Sequence, residues 1–431
     1  MIDVAVVGAG VIGCALGLEL RRRGCGVTLF DQNGDVGHGS TAASCGIVRR
    51  FYSTMTMTAM ALEGSLIWAD WNDYLGAGDE LGLARFERPG MLFIPPRMDA
   101  GVRRIAEHMR ALGIAVELLE PDEITARFPF VDIRSHAPVR RPDADDFFEP
   151  TGRQIEGGVF EPDAGYVISP QIAAHNLRVA GEQAGAQFRL GRRVCAIERH
   201  SSAFRLTLQG GEVLEARAVV NVAGPHSALV NRLAGVRLPI ENRALRRETH
   251  VVRSPLFSEE RDASLPVVGD VDSGIYFRPE AGGRDLIVGS LDPECDALEW
   301  VENPDDLEPT PTTDAFERQV LRLMKRVPRI EMGPRRGIVG LYDVTLLDWN
   351  PILDRTDLPG YYVAIGTSGS SFKTAPVIGA VMADLILACQ AGHDHDADPV
   401  KVTLPRAGFE VDLSFFSRRR GAHRSSGTVL G

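Results

Sequence analysis

From Val4 to Asp31 the chain reads VAVVGAGVIGCALGLELRRRGCGVTLFD. Val4–Val7 is a short apolar run with the composition of a fully buried parallel strand. Gly8-Ala9-Gly10-Val11-Ile12-Gly13 then fits GxGxxG. Gly8 permits a tight turn, Gly10 lets the backbone approach a pyrophosphate, and Gly13 lets a helix pack closely on the strand. Residues 14–23 follow with helical spacing, Leu16 and Leu20 sharing one face, so the free N–H groups and dipole of that helix point at the phosphates. Gly24 closes the helix, Val27–Phe30 forms a second strand, and Asp31 stands at its end, placed to accept hydrogen bonds from ribose hydroxyls. Strand, glycines, helix, strand and acid agree on dinucleotide binding. The acid disfavours a 2′-phosphate and so NADP; at this point FAD and NAD both remain open.

With 431 residues, 44% of them hydrophobic, the chain is long enough for two domains. No run approaches the ~20 apolar residues of a spanning helix, and no basic segment precedes the first strand, so neither a membrane span nor a signal peptide is expected. A formal charge of −11 argues against nucleic-acid binding and fits a cytoplasmic protein. The six cysteines, at 14, 25, 45, 195, 295 and 389, form no CxxC pair and read as reduced thiols. His393-Asp394-His395-Asp396 sits in a polar connector and reads as a solvated loop rather than a metal site. The acidic stretch 143–149 (DADDFFE) reads the same way.

Beyond Asp31, residues 32–48 are small, polar and glycine-rich. Such a loop cannot form core, but it can cross a cofactor and offer donors from Ser40, Thr41 and Ser44. Residues 86–94 (FERPGMLFI) suggest a hairpin about Pro89-Gly90, residues 99–113 a helix, and 171–184 another. ETHVVR, GIYFRPE and DLIVGS between 246 and 290 carry strand signals of a mainly antiparallel sheet. Thr313–Arg326 reads as a helix capped by Thr312 or Thr313. The tail from about Ser417 is basic and serine-rich, and is expected to be poorly ordered.

The segment GHGSTAASCGIVRRFY, following the N-terminal GxGxxG and its acid, resembles the D-amino-acid oxidase superfamily of FAD enzymes, and most closely the sarcosine oxidase and dimethylglycine dehydrogenase branch. VFEPDAGYVISP (159–170), VVNVAG (219–224) and YYVAIGTSGSSFKTAPVIG (361–379) carry the likeness in order along residues 1–415. The resemblance implies a Rossmann-like FAD-binding domain, with a parallel sheet, in three pieces, 1–78, 152–238 and 334–415. An interleaved, mainly antiparallel-sheet substrate domain would occupy 79–151 and 239–333, leaving 416–431 as a flexible tail.

It also implies site residues. The cofactor would meet Gly8, Gly10, Val11, Ile12 and Gly13, then Asp31 and Gln32. Ser40, Thr41, Ser44 and Cys45 would cross it, with Val194 towards the adenine and Ala223 and Gly224 passing near the dinucleotide. Gly340 and the run Gly369, Ser370, Ser371, Phe372 and Lys373 would flank the flavin. Lys373 matches the family lysine that grips a substrate carboxylate, Arg49 the arginine of I-x-R-x-x-Y, and Tyr52 its tyrosine; Arg50 is the fallback for Arg49 if the register slips by one. His226 and His250 read as structural histidines near the site. Gly340 stands where monomeric sarcosine oxidases carry the cysteine that links to FAD, which implies non-covalent flavin. Ile287 stands where they carry a lysine that promotes reaction with oxygen, which tilts towards a dehydrogenase. Ser370-Ser371 replaces the usual His-Gly.

The implied reaction is oxidation of the C–N bond of an amino acid, secondary or N-substituted, by hydride transfer to flavin N5, giving an imine that hydrolyses. The partners would be a carboxylate-bearing amine and an electron acceptor, O2 or a carrier, with the protein a monomer or homodimer. Oxidation of a 2-hydroxy acid, an NAD dehydrogenase, and an FAD-holding electron-transfer subunit without catalysis are the alternatives.

Overall fold

The computed structural model describes residues 1–256, 265–423 and 425–426. Two large sheets organise the chain. In the first, strand Ile2–Val7 lies parallel between Val27–Phe30 and Val213–Asn221. Gln187–Arg189 extends it in parallel beyond Val27–Phe30, and Tyr361–Ile365 pairs in parallel with 219–221. Val194–His200 and Ala203–Leu208 add an antiparallel flank. Helices Val11–Arg22, Pro170–Gln183 and Ala375–Gln390 cover this sheet. Strands such as Val4–Val7 and Tyr361–Ile365 are buried throughout, which explains their unbroken apolar sequence.

The second sheet is mainly antiparallel. Its order runs Trp300–Val301, Asn242–Arg253, Asp285–Ser290, Ile275–Glu280, Val267–Asp270, Met91–Ile94, Gly158–Glu161 and Glu117–Leu119, with Gly337–Thr345 also paired to Asn242–Arg253. Among the described residues, only Met91–Ile94 and Val267–Asp270 pair in parallel within it. Strand residues alternate between faces. Ile275, Phe277, Leu286 and Val288 pack under Phe316, Val320 and Leu323 of helix Thr313–Arg326, which begins at Thr312, whose hydroxyl accepts the Ala315 N–H at 3.2 Å. The opposite face carries Tyr276, Gly289, Gly340 and Tyr342.

Three sequence expectations change. Residues 86–94 do not form a hairpin: Arg85–Glu87 joins a small sheet with Gly165–Ile168, while Met91–Ile94 enters the second large sheet. Met91–Ile94 is buried at every position, so it needs neighbours on both edges, and 158–161 and 267–270 supply them. Gly158–Glu161 and Gly337–Thr345, grouped by sequence with the FAD-binding segments, hydrogen-bond into the second sheet. The tail is ordered through His423. Arg418 is fully buried and ion-paired to Asp354, Asp357 and Asp396, and Arg420 pairs with Asp348 at 2.9 Å. The basic tail therefore neutralises a cluster of carboxylates left on the body. The remainder of the tail expectation, at 424 and 427–431, lies outside the described residues.

Candidate active site

A cavity of about 440 Å³ runs from the glycine turn after the first strand to the open face of the second sheet. At one end Gly8, Gly10, Val11 and Ile12 line it. Gly8 has φ +113°, and a Cβ on Gly13 would stand 2.0 Å from the Gly8 carbonyl oxygen, so both positions require glycine. Gly10, at the head of helix Val11–Arg22, brings no side chain to cap it; the Val11 N–H donates to Thr41 Oγ1 at 3.1 Å. Asp31 is held from two sides, one oxygen accepting the Ala9 N–H and the other the Asn33 N–H, each at 2.8 Å.

Of the sequence-derived residues, Asp31, Gln32, Ser40, Thr41, Ser44 and Cys45 line the cavity. So do Val194, Ala223, Gly224, Gly340, Gly369, Ser371, Phe372, Lys373 and Arg49. Gly13, Ser370 and Tyr52 stand behind that lining. Gly340 is a close-approach glycine, since a Cβ there would meet the Ala43 Cβ at 2.5 Å.

At the other end two cations from opposite parts of the chain converge on one tyrosine. Lys373, 4% exposed, donates to the Tyr52 phenol at 2.9 Å and to the Ser370 carbonyl at 2.7 Å. The Arg49 guanidinium lies 4.1 Å from the Tyr52 ring centroid. Burial pulls the Lys373 ammonium below its ordinary range; the Tyr52 phenol opposes that shift and the Arg49 charge adds to it. Burial alone would raise the Tyr52 phenol, but Arg49 and Lys373 together bring it below its ordinary range. Arg50 takes a different place, ion-paired with buried Glu161, whose carboxylate also accepts the Arg50 N–H at 3.1 Å.

The second sheet contributes residues that sequence reasoning did not single out: Tyr276, Tyr342, Met91, Leu291 and Asp343. Parity was the available signal, because Tyr342 lies two residues beyond Gly340 and must share its face. Asp343 accepts hydrogen bonds from Asn242 and from the Gly366 N–H (2.7 Å), and its carbonyl accepts the Ser368 N–H at 2.7 Å. It thereby ties the loop leading to Lys373 to the second sheet. Burial pushes its carboxyl up to about 6, against those hydrogen bonds. His226 edges the cavity, 2.9 Å from Asp305, and His250 is buried beside Gln319.

A cavity with a helix N-terminus behind a glycine turn, and buried cations at its far end, suits a redox enzyme working with a bound dinucleotide. Comparison with known proteins agrees. The DAO family, described as FAD dependent oxidoreductase, matches residues 3–385. FAD-dependent oxidoreductase domain-containing protein 1 of Bos taurus is 26% identical over 414 residues, covering 89% of this chain and 81% of that protein. Monomeric sarcosine oxidase of Bacillus sp. (strain B-0618) is 26% identical over 408 residues, covering 91% and 94%. Among solved structures, L-proline dehydrogenase from P. horikoshii superposes with a TM-score of 0.75 at 19% identity, covering 98% and 99%, a likeness of fold. The chain belongs to the DAO family of FAD-dependent oxidoreductases. Among the described residues no helix is long and apolar enough to cross a membrane.

Proposed function

We propose that the chain oxidises the C–N bond of a small amino acid, secondary or N-substituted, whose carboxylate is held by Arg49 and Lys373. The observation that carries this reading is the convergence of two buried cations on Tyr52, 324 positions apart in sequence, within the cavity that holds the glycine turn. FAD, when bound, supplies the hydride acceptor. The residues fit it: Gly8 to Ile12 lie at the pyrophosphate end, Asp31 suits a ribose, and the backbone of Gly369 to Phe372 suits the flavin pyrimidine edge. The cofactor is held without a covalent link, because Gly340 offers no thiol.

Lys373 has three N–H donors, two of them spent on Tyr52 and Ser370. The third, with the Arg49 fork, binds and orients the carboxylate. Fixing that group holds the adjacent Cα–H in one direction, which lowers the barrier by positioning alone. Tyr276 and Tyr342 close the wall and keep water from the reacting carbon. Both cations favour loss of the proton from the substrate amine, and so the neutral form that can release hydride.

A dehydrogenase is favoured over an oxidase. Ile287 occupies the position of the oxidases' lysine, and Arg278, directly across the ladder from it, is neutralised by Glu280 at 2.7 Å. Timed reoxidation in air tests this point: recolouring within the turnover time would contradict it. Acid precipitation should leave the yellow colour in the supernatant, and a yellow pellet would contradict non-covalent binding.

A further inference from the structure

Four aromatic rings stack in sequence from the cavity wall towards the surface. Phe372 lines the cavity. Its ring lies 5.2 Å from Trp68 at an interplanar angle of 12°, Trp68 lies 4.2 Å from Trp71 at 26°, and Trp71 lies 5.6 Å from Tyr74 at 21°. Trp68 and Trp71 are buried and Tyr74 is half-buried. The path is fixed at each station: the Trp68 indole N–H donates to the Lys373 carbonyl at 2.8 Å, and that of Trp71 to Asn176 Oδ1 at 3.2 Å. At the outer end the Tyr74 phenol donates to Glu19 Oε1 at 3.0 Å, while the Arg22 guanidinium lies 4.7 Å from the Tyr74 ring centroid.

We propose that Phe372, Trp68, Trp71 and Tyr74 form a path that drains one-electron oxidising equivalents from the flavin cavity to the surface, with Glu19 as proton acceptor. Stacked rings at these separations couple electronically, and tryptophan and tyrosine are the most readily oxidised aromatic side chains. The path runs in the order of a sink. Tyrosine gives up its electron with loss of its phenolic proton, and the carboxylate to receive that proton is already hydrogen-bonded. Burial and the Glu19 charge hold the Tyr74 phenol well above its ordinary range, so it is protonated until oxidised. The Arg22 cation over the ring disfavours a positively charged radical, so the proton must leave.

With a photoexcited flavin as the oxidant, the step balances. Trp68 would give up one electron across Phe372 to a flavin bound in the cavity, Trp71 would refill Trp68, and Tyr74 would refill Trp71. The Tyr74 proton moves to Glu19, leaving a neutral tyrosyl radical. The flavin gains one electron and Tyr74 loses one.

The inference rests on FAD occupying the cavity, which the visible flavin absorbance of the purified holoenzyme reports separately. The test is anaerobic blue-flash transient absorption on that holoenzyme, on Tyr74→Phe, which preserves the stack, and on Trp71→Phe. Wild type should form a long-lived tyrosyl radical. Tyr74→Phe should lose it and leave a tryptophan radical in its place, and Trp71→Phe should cut the radical yield at least tenfold. Among the described residues the wall tyrosines lean on other groups, Tyr276 on the Cys45 thiol and Tyr342 on the Arg247 guanidinium, so radicals there, with no hydrogen-bonded carboxylate to take the proton, should recombine quickly. Absence of a long-lived tyrosyl radical in a flavin-loaded wild type, or its persistence unchanged in Tyr74→Phe, would overturn the proposal.

Discussion

Replacing Lys373 with Met removes the charge and all three donors while nearly conserving volume at a position that is 4% exposed. Two of its hydrogen bonds go to neutral oxygens, those of Tyr52 and Ser370; the third is assigned to the substrate carboxylate. A hydrogen bond to a charged group is worth about 1.5–3 kcal/mol, which converts to roughly 10- to 150-fold in affinity. On this assignment the loss should raise KM, and because the same grip holds the Cα–H in place, kcat should fall with it. Steady-state kinetics with an artificial acceptor would measure it, using an amino acid and its methyl ester side by side. The ester, lacking the carboxylate, should discriminate little between wild type and variant. Flavin content should be unchanged, since the assigned contacts of FAD near Lys373 are to backbone. Equal losses for acid and ester, or an unchanged KM for the acid in a flavin-loaded variant, would remove Lys373 from carboxylate binding.

Gly340→Ala should lower flavin retention and destabilise the protein by about 1–3 kcal/mol through overpacking, because the new methyl would meet Ala43 at 2.5 Å; flavin-to-protein absorbance and a thermal melt would show it. Arg326→Met should cost about 3–5 kcal/mol in denaturant melts, because it leaves Asp270 and Asp272, which Arg326 bonds at 2.6 and 2.8 Å with all three fully buried, without their cation. Asp343 has its carboxyl raised to about 6 in the folded state. The folded protein therefore takes up that proton before the unfolded chain does, and stability gains as pH falls through 6 towards 4. Relative to Asp343→Asn, the wild type should gain about 2 kcal/mol between pH 7 and 4, and an identical pH dependence of the two melting curves would contradict the assignment.

The first strand, glycine turn, helix and acid were legible because each is a local signal read against its neighbours. Helix Thr313–Arg326 was legible for the same reason, with its cap narrowed to Thr312 or Thr313, of which the structure uses Thr312. Pairing was not. Residues 91–94 look the same whether they return in a hairpin or insert between 158–161 and 267–270, because an apolar run does not name its partner. The tail failed differently: four arginines and several serines suggest a solvated end, and the carboxylates that bind Arg418 lie 22 to 64 positions away. Within the cavity, Arg49 and Lys373 could be named from their motifs. Tyr342 could be reached only through its parity with Gly340, and Tyr276 is brought to the cavity wall by strand pairing in the second sheet, which no local signal names.

The central claim is oxidation of an amino acid at a flavin by a protein that grips its carboxylate. An anaerobic absorbance titration of the purified protein against N-methylated and ordinary amino acids tests it most directly. The flavin bands should bleach with one or a few of these amines, and should need far higher concentrations of the corresponding esters to bleach. A flavin that no amino acid bleaches, or a protein that binds no flavin, would contradict it.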